Sequence, residues 1–99
     1  MPNFKFGVDQ SNMDYHLTSK YSDIDKVHQD IVGRDAMITS ARDGRHMISS
    51  LHFSGKAIDL RTRDMGGKEK KVVEALKKKL GTSFDIVLES DHIHLEYDP

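Results

Sequence analysis

The apolar positions between residues 22 and 33 recur at helical spacing. In "SDIDKVHQDIVG", Ile24, Val27, His28 and Ile31 fall on one stripe, Ser22 stands where an N-cap is needed with Asp25 three residues on, and Gly33 supplies a stop. This predicts a short amphipathic helix. A second helix is predicted over roughly 68 to 80, with Val72, Val73, Leu76 and Leu80 as its apolar stripe and Gly81 as its end. Elsewhere the period changes. "DAMITS" reads as a strand running into a polar, glycine-containing loop, "ARDGRHMISS", and "KAIDLRT" reads as a second strand. "SFDIVLESDHIHLEYDP" has the form of a hairpin. Residues 1 to about 20 show no sustained periodicity. They are expected to form a loosely ordered N-terminal segment ahead of one domain over 21–99.

Alternation separates two faces. In the last strand His92, His94 and Glu96 point one way while Ile93, Leu95 and Tyr97 point the other; in "KAIDLRT" Ala57, Asp59 and Arg61 share a side opposite Ile58 and Leu60. If these strands share a sheet, its apolar face packs under the two helices. Its other face then carries Asp59 with His92, His94 and Glu96.

Composition limits the chemistry available. Ninety-nine residues make one domain with a modest core. The 15 Lys plus Arg against 16 Asp plus Glu leave a net charge of -1, so no global field draws the chain to nucleic acid or to an acidic membrane. The lysines of the second helix, interspersed with Glu69 and Glu74 and without aromatic residues for stacking, read as a solvated face. With no cysteine, disulfides, thiolate metal sites and cysteine nucleophiles drop out, and the six histidines and the carboxylates are the metal ligands left. The start, "MPNFKFGVDQ", does not read as a signal peptide, and no stretch has membrane length. The expectation is a chain made in the cytoplasm.

A catalytic zinc site needs three N or O ligands at about 2.0–2.2 Å and one open position. In "SLHFSGKAID", His52 and Asp59 offer two ligands on either side of a turn that Gly55 permits, Ala57 leaves room beside an ion, and His94 offers the third. Taken separately, a turn histidine, a strand-end aspartate bonded to backbone and two surface histidines on a strand are the commoner readings. The combination is more specific.

"SLHFSGKAID" matches at every defining position the S-x-H-x-x-G-x-A-x-D signature of the M15 family of zinc peptidases, and "DHIHLE" resembles that family's second signature. The resemblance covers roughly residues 36 to 97. The family includes D-Ala-D-Ala carboxypeptidases and dipeptidases and the L-alanyl-D-glutamate endopeptidases that serve as phage endolysins; hedgehog signalling domains share its fold. The resemblance implies an α+β fold with a small antiparallel sheet, helices on one face and a zinc site on the other. It makes His52, Asp59 and His94 the Zn2+ ligands. The catalytic acid/base is Asp91 by family spacing, with Glu89 as the other candidate, since hedgehog-type members place a Glu further upstream of a His-x-His pair. "ITSARDG" resembles the segment that presents an arginine to substrate, which maps to Arg42. Ser40 and Ser50 are expected to support the site through hydrogen bonds, Ser50 and His92 to line the substrate position, and Glu96 to hold a histidine's second nitrogen. His46 is read as an exposed loop residue, and His16 and His28 as surface or helix-face residues.

The function so implied is zinc-dependent hydrolysis of the peptide stem of bacterial peptidoglycan, by a monomer that binds neither nucleic acid nor membrane and acts on the cell wall if it is an endolysin. The alternative is a non-catalytic, zinc-stabilised peptide- or wall-binding domain of hedgehog-like fold. The presence of both Glu89 and Asp91 speaks against that alternative.

Overall fold

A computed structural model describes residues 2–8, 10, 13–41 and 55–99. In chain order its elements are β1 (Asn3–Phe4), α1 (Tyr15–Thr18), α2 (Tyr21–Val32), β2 (Met37–Ser40), β3 (Ala57–Arg61), α3 (Glu69–Leu80), β4 (Phe84–Leu88) and β5 (His92–Tyr97). The class is α+β. The strands form one five-stranded sheet in the order β1-β2-β3-β5-β4. It is mixed, where an antiparallel sheet was expected, because β1 pairs with β2 in parallel while every other pairing is antiparallel. β1 is two residues long, too short to leave a periodic pattern, yet Asn3 N–H donates to Ala36 O and Lys5 N–H to Ile38 O. Phe4 then packs against Tyr21 of α2 with ring centroids 5.9 Å apart.

The two long helices arise where their stripes predict them, but they begin differently. Ser22 lies inside α2 and is not its cap; Lys20 occupies that position without a side-chain cap bond. The reason is continuity, since Lys20 N–H bonds to Leu17 O and Ile24 N–H to Lys20 O, so α2 grows out of the last turn of α1. Asp25 belongs to no capping box either. It is buried and accepts the Ala36 N–H at 2.9 Å, which ties the middle of α2 to the start of β2. Gly33 ends α2 at φ 85°, a left-handed conformation that L side chains rarely adopt. His28 is buried rather than on the surface, and its Nδ1–H donates to the Arg34 carbonyl at 2.6 Å, so that the loop after α2 folds back on the helix.

Alternation holds in the sheet. Ile58, Leu60, Ile93 and Leu95 are fully buried and join Ile24 of α2 and Val72, Leu76 and Leu80 of α3 in one core. Truncating Leu95 to alanine should cost about 2–5 kcal/mol, the range for deleting a fully buried leucine side chain. Urea denaturation measures it, and a loss below about 1 kcal/mol would place Leu95 outside the core.

Candidate metal centre

The opposite face of the sheet gathers the chemistry. In the β3–β5 pairing Asp59 stands opposite His94, Arg61 opposite His92 and Ala57 opposite Glu96. With a side-chain period of two, this register sets Asp59, Arg61, His92, His94 and Glu96 on the face away from the helices. Gly55, at φ 81°, makes the left-handed turn into β3, and its carbonyl accepts the Asp14 N–H at 2.8 Å. The short hairpin between β4 and β5 is closed by Glu89 N–H donating to His92 O at 2.8 Å, which leaves Asp91 at its tip.

Carboxylates and imidazoles alternate across this face. Asp91 Oδ1 lies 2.7 Å from His92 Nδ1, His92 Nε2 lies 3.7 Å from Asp59 Oδ1, Asp59 Oδ1 lies 3.1 Å from His94 Nδ1, and His94 Nε2 lies 2.7 Å from Glu96 Oε1. Asp59 is the most enclosed of these, at 7% exposure. The hydrogen bond to Asp59 pushes the His94 imidazole up from 6.5 to about 9; burial opposes the shift, and Glu96 adds to it.

A folded-state pKa raised above the unfolded one stabilises the fold fully below the unfolded value and loses that contribution as pH rises through the folded value. The metal-free protein should therefore lose stability between pH 6.5 and about 9. Melting temperatures in chelator, compared with those of His94→Gln, test this, and equal slopes for the two proteins would contradict it.

The donor set fits a metal in two respects. Two ligands of a tetrahedral zinc ion at about 2.0–2.1 Å stand about 3.3 Å apart, close to the 3.1 Å between Asp59 Oδ1 and His94 Nδ1. Glu96 on the second nitrogen of His94 also supplies the carboxylate–histidine support that metal-binding histidines commonly receive. Among the described residues no group of three or more His, Asp or Glu side chains is arranged to hold a metal ion. His52, the expected third ligand, lies outside the described residues, as do Arg42, His46 and Ser50.

Asp59 and His92 open onto a groove of about 840 Å³ that Glu89, Asp91 and Arg61 also line. Both candidate bases therefore border it; the Asp91 carboxylate bonds to the His92 ring, whereas Glu89 bonds to His92 through the backbone. That bond was not anticipated in the sequence, where His92 had no assigned neighbour. Arg61 was also passed over, although alternation already set it beside Asp59. Ser40 pairs across β2–β3 with Asp59. His16 lies away from this chain of groups, exposed and stacked on Tyr97 with centroids 4.6 Å apart.

A scan against protein-family models finds no match for this chain, and no curated protein matches it. The chemistry of the site thus rests on its own donors and on the two motifs that carry them. No helix among the described residues is long and apolar enough to cross a membrane.

Proposed function

We propose that this chain is a zinc-dependent peptidase that hydrolyses the peptide stem of bacterial peptidoglycan, as a carboxypeptidase or an L-alanyl-D-glutamate endopeptidase of the phage endolysin kind. The observation that carries the reading is the convergence of Asp59 and His94 at 3.1 Å with Glu96 behind His94, beside a groove bordered by Asp91 and Glu89. Asp59 and His94 would hold the ion together with His52. Zinc, when bound, supplies a water acidified toward a pKa of about 7 and a Lewis acid for the scissile carbonyl.

The protein's own groups account for the rest. Asp91 accepts from His92 Nδ1–H, which fixes the ring with its Nε2 turned toward Asp59, 3.7 Å from Oδ1. The Asp91–His92 pair takes the proton from the attacking water and returns it to the leaving amine. Glu96 holds the ring of His94 in the plane that ligation requires. Arg42 and Ser50, which precede β3 in the sequence, are assigned to the substrate, where a guanidinium can steady the developing oxyanion.

Amine release from purified peptidoglycan tests the reading. Release that stops with chelator and returns with zinc supports it. Release that persists in chelator, or that never occurs, counts against it.

A further inference from the structure

The groove is not uniform in charge. Four carboxylates, Asp59, Glu69, Glu89 and Asp91, line it, and Lys5, Arg61 and Arg63 bring three cations to it from the end of β1, from β3 and from the segment after β3. Lys5 and Arg61 reach this lining from the strands on the Asp59 side of the sheet, and a guanidinium placed there can pair with an anionic group of an occupant. Arg61 is the best placed of them. It lies two residues along β3 from Asp59, about 6.6 Å by strand geometry, and on the same face. Its side chain is about one-fifth exposed, whereas that of Arg63 is about three-quarters exposed. Among the described residues its ionic partner is Asp64, with Arg61 Nη1 a long 3.6 Å from Asp64 Oδ2. A half-buried guanidinium with one distant carboxylate retains most of its donor fork for a ligand.

We infer that Arg61, assisted by Lys5, is a specificity-determining residue that binds a free carboxylate of the substrate one to two residues from the bond that is cut. The inference rests on the peptidase reading for the identity of the ligand as a peptide. The spacing follows from chain dimensions, since an extended peptide advances about 3.3–3.6 Å per residue and Arg61 stands about two such steps from Asp59. Two sources supply a carboxylate at that distance: the C-terminus of a D-Ala-D-Ala stem, or the side group of the D-glutamyl residue next to L-alanine. Thr39, on the neighbouring strand and lining the same groove, donates its hydroxyl to Asp59 O at 3.5 Å and so ties β2 to β3 beside Arg61.

The test is a binding titration followed by amide NMR shifts of the full chain with zinc present. The probes are acetyl-D-Ala-D-Ala and acetyl-L-Ala-D-Glu, each as free acid and with the relevant carboxyl converted to its amide. The wild type should bind one of the free acids about 10- to 100-fold more tightly than its amide, as expected for a charge-assisted forked pair. The probe that discriminates identifies the source of the carboxylate. Arg61→Gln should erase the preference, Arg61→Lys should keep a part of it, and Lys78→Gln on the outer face of α3 should leave it unchanged. Circular dichroism and melting of each variant confirm that it is folded. Equal binding of acid and amide by the wild type, or an undiminished preference in folded Arg61→Gln, overturns the inference. A carboxylate preference in a protein that cuts no peptide would instead leave Arg61 as an anion-binding residue and remove the peptidase reading.

Discussion

Replacing Asp59 with alanine should lower zinc affinity by more than about a thousandfold, beyond the roughly 10- to 100-fold typical of removing an outer-shell partner. His94→Ala should do the same, whereas Glu96→Gln should stay within the smaller range. The difference in size is the informative part. Asp59 Oδ1 and His94 Nδ1 face each other at 3.1 Å, and Glu96 reaches the far nitrogen of His94 at 2.7 Å, so the zinc proposal makes the first two ligands and the third a support. Competition against a chromophoric chelator measures all three variants. If Asp59→Ala binds zinc as the wild type does, the metal site is elsewhere. If Glu96→Gln loses as much as His94→Ala, Glu96 is itself a ligand. The metal-free proteins give a second readout, because Asp59→Ala removes the main cause of the raised His94 pKa and should flatten the loss of stability between pH 6.5 and about 9.

The second large effect separates the two candidate bases. Asp91→Asn should lower kcat by about 10²- to 10⁴-fold, the usual weight of a positioned acid/base, with zinc still bound. Glu89→Gln should change it by less than about threefold. The physical reason lies in one hydrogen bond. The Asp91 carboxylate can only accept, so His92 Nδ1 carries a proton; an asparagine can offer N–H₂ instead and turn Nδ1 into the acceptor. Steady-state kinetics on a stem peptide, with metal content measured for each variant, decides between them. Loss in Glu89→Gln with Asp91→Asn unaffected would reverse the assignment.

Much of this site could be read in the chain because a strand has an integral period. Once Ile58 and Leu60 are assigned to the core, Asp59 and Arg61 have one face left to occupy, and the same argument sends His92, His94 and Glu96 there. The register that brings Asp59 opposite His94 is a tertiary fact, set by the pairing of β3 with β5, and no local pattern carries it. The role of Asp25 was hidden for the same reason. Its position looked like part of a helix start, but its partner, Ala36 N–H, comes eleven residues later at the start of β2. His28 stood on the apolar stripe, and its burial follows once Arg34 O is within 2.6 Å to accept its proton. β1 escaped notice because a two-residue strand has no period; its parallel pairing with β2 depends on the turn after α2 bringing Ala36 beside Asn3. Ser22 looked like a cap only because α1, a single turn, was invisible in the pattern. Arg61 was visible and went unread, since a lone arginine on a strand gains meaning only when the groove beside it is known.

The central claim is metal-dependent cleavage of a murein stem peptide, and mass spectrometry of a pentapeptide stem incubated with zinc-loaded protein, beside a chelated control, tests it most directly. The account predicts a cut in the zinc-loaded sample alone, with loss of terminal D-alanine for a carboxypeptidase or release of L-alanine for an endopeptidase. An intact peptide in the presence of zinc-bound protein would contradict it and leave a metal-stabilised binding domain as the better description.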